Sequence, residues 1–405
     1  MLGIPGRLEA GANDRRGDGQ HMSSGFLPTD AARATLVGRV DLGDGPTPVV
    51  LRGGRMEDLS RHAPTVSELF NRFSPGEPLP VGRDLGATDS QSFRPAWRGA
   101  ERRLLPPLDL QCIKAAGVTF ATSVLERVIE EQALGDPARA QSIREGLAAR
   151  IGADLGTVRP GGQDAARLKA ALQAQGLWSQ YLEVAIGPDA EIFSKAPVLS
   201  AVGWGEWVGV RVDSLWNNPE PEIVLVCDGT GRPRGATLGN DVNLRDLEGR
   251  SALLLGQAKD NNGSCAVGPF LRLFDASFTL DDVRKVTVHL EIEGEDGFRL
   301  SETSEMARIS RDPLELLRQA SGANHQYPDG FALFLGTMFA PTRDREAQGR
   351  GFTHRMGDFV RISCPEIGVL ENRVGFCGEI PPWTFGIGAL MRNLASRGLL
   401  QEGQS

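Results

Sequence analysis

The chain has 405 residues, 40% hydrophobic and 24% charged, which is the composition of a globular protein with enough apolar material for a full core and room for two domains. A formal net charge of −8 offers no basic field to attract phosphate, so nucleic acid and anionic membrane are poor partners. No apolar run approaches the length of a membrane span.

The first residues, MLGIPGRLEAGANDRRGDGQHM, lack an apolar h-region and a helical period, so residues 1–24 read as a disordered extension, with Met22 an alternative start. From Ala34 to Ser60, short apolar runs alternate with Gly and Pro, which predicts small strands joined by turns. Thr65 to Phe73 reads as a short helix. A looser Pro- and Arg-rich connection, Ser74 to Pro107, ends a small N-terminal α+β domain of residues 25–107. No chemistry of its own is visible in that domain, and packing against a neighbouring subunit is its expected role. A second domain, 108–398, follows.

Its first helix lies within LDLQCIKAAGVTFATSVLERVIEEQALGDP. Val124, Leu125, Val128 and Ile129 cluster on one side, with Ser123, Glu126 and Glu130 opposite, a stripe that reads as the solvated face of an amphipathic helix. Ala165 to Leu182 predicts another helix. After Ile192 the texture changes to strands, WVGVRV, EIVLVC, KVTVHLEIEG and DFVRISC, each bounded by Gly, Pro, Asn or Asp. In KVTVHLEIEG the apolar Val286, Val288, Leu290 and Ile292 alternate with Thr287, His289, Glu291 and Glu293, which places His289 on the surface. This is an α+β arrangement rather than an alternating βαβ sheet. Trp204, Trp207 and Trp216 are spaced like strand core residues. Cys112, Cys227, Cys265, Cys364 and Cys377 are widely spread with no CxxC pair, which predicts reduced thiols, no zinc site and a cytoplasmic protein.

The chemistry concentrates in NPEPEIVLVCDGTGRPRGATLGNDVNLRD. In an extended chain Glu220 and Glu222 point the same way, with Pro221 holding the backbone extended between them. Two like charges on one face call for solvent or for a cation. DGTGRPRG has two glycines at dinucleotide-loop spacing, but Pro233 prevents a following helix, so the stretch reads as a hairpin turn. The hairpin returns the chain so that Asp241 lies near Glu220 and Glu222. Three carboxylates make a hard-oxygen pocket suited to Mg²⁺, Mn²⁺ or Ca²⁺.

E-x-E, then G-N-D-V-x-x-R-D, then a lysine followed by a G-P pair resembles the fumarylacetoacetate hydrolase superfamily. This chain supplies Glu220-Pro221-Glu222, Gly239-Asn240-Asp241-Val242 to Arg245-Asp246, Lys259 and Gly268-Pro269, and continues with Leu335-Gly336-Thr337, Gly357-Asp358 and Gly368-Val369-Leu370-Glu371-Asn372. The resemblance implies a mixed β-roll catalytic domain in which Glu220, Glu222 and Asp241 hold Mg²⁺ or Mn²⁺ and the ion chelates a 2-oxo acid. It further implies that Lys259 lies near the substrate, that Gly336 and Thr337 contact it, and that Lys195 in IFSKAP lines the site entrance. Arg245 and Asp246 are expected to pair beneath the metal.

One departure matters. Hydrolases of the family carry Tyr-x-x-His-x-x-Glu, whereas the matching stretch here runs from Phe120 through Ser123 to Glu126. A neutral hydroxyl is no general base near pH 7 unless another group activates it. That substitution, with GVTFATS and NHQYPDG, resembles the dehydratase branch acting on 2-keto-3-deoxy-pentonates. The resemblance implies dehydration to 2,5-dioxopentanoate in oxidative pentose breakdown, with Lys259 as base and Glu126 as acid, in a homodimer or homotetramer. Two rivals stand beside it. A hydrolase of 2,4-dioxo acids would need His354 or His325 in place of the missing base. A non-catalytic sugar-acid binding protein would bind metal and ligand without turnover.

Overall fold

Strand burial follows the apolar pattern of the sequence in a computed structural model of the chain, which describes residues 25–144, 158–339, 342–345 and 351–400, except the side chains of residues 89 and 90. The expected extension, 1–24, lies outside them.

The Gly- and Pro-punctuated opening folds as β1 (Leu36–Asp41), β2 (Pro46–Arg52) and β3 (Arg55–Asp58). Thr65 then caps α1 (Val66–Arg72), its Oγ1 accepting from the Glu68 N–H at 3.0 Å. Next come β4 (Arg83–Ala87), β5 (Arg103–Leu105), β6 (Cys112–Ala116) and α2 (Ala121–Ala133). The single helix expected over 165–182 is two, α3 (Gln163–Ala174) and α4 (Gln180–Ile186). Gly176 adopts φ +68° after the first, and the Ser179 hydroxyl accepts from the Tyr181 and Leu182 N–H groups to start the second.

The strand-rich half comprises β7 (Ile192–Ala196), β8 (Glu206–Val210), β9 (Asn217–Asn218), β10 (Pro221–Cys227), β11 (Pro233–Asp241), β12 (Asn243–Leu244), β13 (Cys265–Leu273), β14 (Thr287–Glu293), β15 (Arg299–Glu305), β16 (Phe331–Phe334), β17 (Phe359–Cys364) and β18 (Gly368–Phe376). Short helices interrupt it, among them α5 (Arg245–Glu248) and α6 (Leu255–Lys259).

The larger sheet has 11 strands in the order β4-β3-β2-β1-β13-β11-β10-β16-β6-β7, with β5 also paired to β1, and is antiparallel except between β16 and β6. A sheet of 5, β15-β14-β17-β18-β8, covers one face. Ile223 and Leu225 of β10 meet Val288, Leu290 and Ile292 of β14 between the sheets, whereas Val224 and Val226 face Leu69 and Phe70 of α1 on the other side. With both faces covered, every residue of β10 is buried. In β14 only the apolar set is buried and His289 is exposed, as the alternation predicts. The boundary expected at residue 107 falls between β5 and β6, and strands from both sides share the large sheet, since Leu36 and Val37 of β1 pair with Arg272 and Leu271 of β13. Among the described residues no helix is long and apolar enough to cross a membrane.

Beneath the smaller sheet, Asp358 binds Arg345 at 2.5 Å and His354 Nδ1 at 3.0 Å. Burial opposes its charge, but Arg345 and His354 outweigh it and hold the carboxyl down at about 2, against an ordinary 3.8. A depressed carboxyl contributes stability that is complete above about pH 4 and lost as pH falls toward 2. Asp358→Asn is therefore expected to cost roughly 3 kcal/mol at pH 7. The gap to wild type in urea midpoint should narrow between pH 4 and 2.5, and a gap independent of pH would contradict the ion pair's role.

Candidate metal centre

Glu220 immediately precedes β10, Glu222 is its second residue and Asp241 ends β11, with Glu222 opposite Gly239 across the ladder. The hairpin therefore brings the three acids together, each offering a carboxylate oxygen within 4.8 Å of the others, the group among the described residues arranged to hold a metal ion. All three are buried. Backbone donors fix them: the Gly336 N–H donates to Glu222 Oε2 at 2.6 Å and the Asp241 N–H to the Glu220 carbonyl at 3.0 Å. Gly336 adopts φ +88°, and a Cβ there would lie 2.0 Å from Thr119 Oγ1, so only glycine brings this N–H so close.

The acids line a narrow cleft that opens to solvent. Its walls include Ser123, Glu191, Lys259, Gly336 and Thr337. Lys259 Nζ reaches Glu220 Oε2 at 2.5 Å and Asp241 Oδ2 at 3.1 Å. Burial opposes the ammonium, but Asp241, Glu220 and Glu248 outweigh it and hold the pKa above the ordinary lysine range. Burial also pushes the Glu222 carboxyl well up, and Asp241 and Glu220 push it further. Asp241 behaves oppositely, because Lys195 and Lys259 overcome its burial.

This charge balance tests the site for a cation. Five carboxyls, Glu191, Glu220, Glu222, Asp241 and Glu248, share the cleft with two cations, Arg127 and Lys259. The surplus of negative charge favours the protonated form of Glu222, and a hard divalent ion with oxygen ligands relieves it. The donor set fits Mg²⁺ or Mn²⁺.

The polar stripe of α2 is not solvated. Glu126 and Glu130 are buried, because α2 turns this face to the acids rather than to water. Arg127, from the same turn, donates to Glu220 Oε1 at 2.8 Å and to Glu130 Oε2 at 2.6 Å, and also reaches Glu248 Oε2 at 2.6 Å. Arg245 binds Glu130 at 2.6 Å and Glu126 at 3.0 Å, and Arg144 grips Glu126 through two 2.8 Å bonds. Burial would raise the Glu126 carboxyl, but Arg144 and Arg245 hold it below the usual range. It lines an adjoining cleft with Asn218, Asn243 and Phe339. The Ser123 hydroxyl donates to the Phe120 carbonyl at 2.8 Å.

Two expected placements differ. Lys195, expected at the entrance, is fully buried with Nζ 2.8 Å from Asp241 Oδ1. Asp246 accepts from the Ser214 hydroxyl and the Leu215 N–H, while Arg245 turns to Glu126 and Glu130. His354 is buried against Asp358 and His325 is exposed, and neither lines the cleft. Three charged wall residues went unread in the sequence: Arg127, Glu191 and Glu248. Burial raises the Glu191 carboxyl against Arg127 and Lys259, and raises Glu248 to about 7. Gly117 admits Glu191, since a Cβ there would lie 2.0 Å from Glu191 Oε2.

Residues 234–375 match the family described as fumarylacetoacetate (FAA) hydrolase C-terminal, a span holding Asp241, Lys259 and Thr337. The chain is 35% identical over 188 residues to 2-dehydro-3-deoxy-D-arabinonate dehydratase of Saccharolobus solfataricus, covering 45% of this chain and 58% of that protein. It is 30% identical over 194 residues to a "Probable 2-keto-3-deoxyxylonate dehydratase" of Haloferax volcanii, covering 48% and 63%. The match thus spans less than two thirds of either relative. Among solved structures, 2-keto-3-deoxy-D-arabinonate dehydratase complexed with magnesium and 2,5-dioxopentanoate superposes with a TM-score of 0.60 at 22% identity, covering 84% of this chain and 99% of that one. A fumarylacetoacetate hydrolase from Exiguobacterium antarcticum gives 0.51 at 17% identity, covering 85% and 100%, a likeness of fold alone. Residues 234–375 therefore match the fumarylacetoacetate hydrolase C-terminal family, on an α+β fold similar to that of 2-keto-3-deoxy-D-arabinonate dehydratase.

Proposed function

We propose that this chain dehydrates a 2-keto-3-deoxy-pentonate to 2,5-dioxopentanoate with Mg²⁺ or Mn²⁺. The observation that carries the reading is the buried Glu220, Glu222 and Asp241 cluster with Lys259 beside it, in a cleft whose residue 123 is no general base. The named activities of the two curated relatives support it.

Glu220, Glu222 and Asp241 are the residues to hold the ion, which supplies Lewis acidity that polarises the 2-oxo acid and acidifies its C3 hydrogen. Lys259 owes its charge to Glu220 and Asp241, so when these carboxylates turn to a cation its pKa falls and its amine can take the C3 proton. Thr337 and Gly336 on the wall bind and orient the acid. An acid must then protonate the C4 hydroxyl as it leaves as water. Glu191 suits this step better than Glu126: it lines the same cleft as Lys259 and burial favours its protonated form, whereas Arg144 and Arg245 favour the Glu126 carboxylate. The alkene formed shifts to a C4–C5 enol, which tautomerises to the aldehyde. Carbon–carbon hydrolysis finds less support, since the Ser123 hydroxyl is engaged with Phe120. The same reading places the enzyme in pentose breakdown in the cytoplasm as a homo-oligomer, and five unbridged cysteines suit a reducing compartment.

Incubation with D- and L-configured 2-keto-3-deoxy-pentonates and Mg²⁺ is expected to yield 2,5-dioxopentanoate from at least one, and chelator treatment to abolish turnover. Ligand and metal binding without product would instead identify a binding protein, and release of smaller fragments from a 2,4-dioxo acid a hydrolase. Lys259→Met and Glu191→Gln are each expected to lower kcat by about 10²- to 10⁴-fold. Glu126→Gln is expected to lower the unfolding midpoint more than kcat. A Glu126→Gln loss in kcat larger than that of Glu191→Gln would reverse the assignment of the acid.

A further inference from the structure

Lys195 sits at the fourth position of β7, the edge strand that also carries Phe193 of the cleft wall, yet it does not line the cleft and has no exposed surface. Burying a lone ammonium is costly, so its contacts must account for it. Nζ lies 2.8 Å from Asp241 Oδ1, donates to the backbone carbonyl of Lys259, and stands 3.5 Å from both the Val242 carbonyl and the Ser264 hydroxyl. The Ser264 hydroxyl donates to the same Lys259 carbonyl at 2.8 Å. One ammonium therefore ties three separate segments together: β7, the end of β11 and the last residue of α6.

The two oxygens of Asp241 are divided between two lysines. Oδ1 faces Lys195, which does not line the cleft, and Oδ2 faces Lys259, which does, at 3.1 Å. A carboxylate held at one oxygen cannot rotate freely to offer both, and the cation that holds it also fixes the backbone from which Lys259 projects.

We propose that Lys195 is a positioning residue that locks Asp241 as a single-oxygen metal ligand and sets the distance between that ligand and Lys259. The assignment rests on the metal reading of Glu220, Glu222 and Asp241. It makes Lys195 a part of the metal centre that never touches metal or substrate. Losing an outer partner of a metal ligand typically weakens metal affinity or activity by about 10- to 100-fold.

The test is Mn²⁺ titration of the metal-free full chain, followed by electron paramagnetic resonance of the free ion, for wild type, Glu222→Gln, Lys195→Met and Lys195→Gln. Thermal melts with and without Mn²⁺ accompany each titration. Wild type is expected to bind Mn²⁺ and Glu222→Gln to lose it. Both Lys195 variants are expected to bind about 10- to 100-fold more weakly and to show a smaller Mn²⁺-induced rise in Tm. A purely structural lysine would lower the metal-free Tm and leave the affinity unchanged, so a folded Lys195 variant that binds within twofold of wild type overturns the assignment. Lys195→Gln keeps an N–H toward Asp241, and its result decides the matter if Lys195→Met does not fold. Wild-type protein that binds no Mn²⁺ overturns the metal reading and the assignment together, whereas tight binding by the Lys195 variants overturns the assignment alone.

Discussion

Three carboxylates within 4.8 Å of one another, all buried, repel strongly: at an effective dielectric of about 20, each ionised pair at that distance costs roughly 3 kcal/mol. The surrounding architecture answers that repulsion. Lys259 approaches from inside the cleft, Lys195 from behind β11 and Arg127 from α2, so that Glu220 and Asp241 each meet two or more cationic or amide donors. Glu222 meets a backbone N–H instead, and its burial, with the neighbouring charges of Asp241 and Glu220, pushes its carboxyl up rather than down. A divalent ion held there would complete the neutralisation that the protein leaves unfinished.

The counter-charges must themselves be held, and this extends the centre well beyond its ligands. From Glu220 the contacts run through Arg127 to Glu130, through Arg245 to Glu126 and on to Arg144, with Glu248 branching from Arg127. Acids and guanidiniums alternate along the whole path. Arg245 also stacks over the Trp216 ring at 4.0 Å, which couples the charged chain to the apolar cluster of α2, α3 and α4. A buried chain of this kind is rigid, because removing any member leaves its neighbours charged and unpaired. It keeps the β10–β11 hairpin and α2 in one relative position. Sheet order does the rest: β10 and β11 lie inside the 11-stranded sheet, flanked by β16 and β13, with Glu222 opposite Gly239 and Asp241 opposite Cys265.

Much of this is legible in the chain itself. Period-two alternation places β14 and exposes His289, Thr65 announces α1, and the like charges of Glu220 and Glu222 flanking Pro221 demand a counter-charge by their spacing alone. Asp241 is within reach because a hairpin is a local device: its turn signals lie between the two strands that it pairs. Alternation fails for β10, which has no polar face because both its sides are covered. The α2 stripe of Ser123, Glu126 and Glu130 is visible but misleading, since an amphipathic pattern states which residues share a face and not what that face meets.

Local rules decide strands, turns and caps, and thereby the pairing of Glu220 and Glu222 with Asp241. Contacts across long sequence separations belong to the tertiary structure. Arg127 reaches Glu220 across 93 residues, and Lys195 reaches the carbonyl of Lys259 across 64. No spacing rule links such positions, because the folded sheet and not the chain sets their distance. The sequence could therefore name the carboxylates that repel one another and Lys259, while the contacts of Arg127 and Lys195 that help make their burial possible emerge only when segments remote in the chain become neighbours in space.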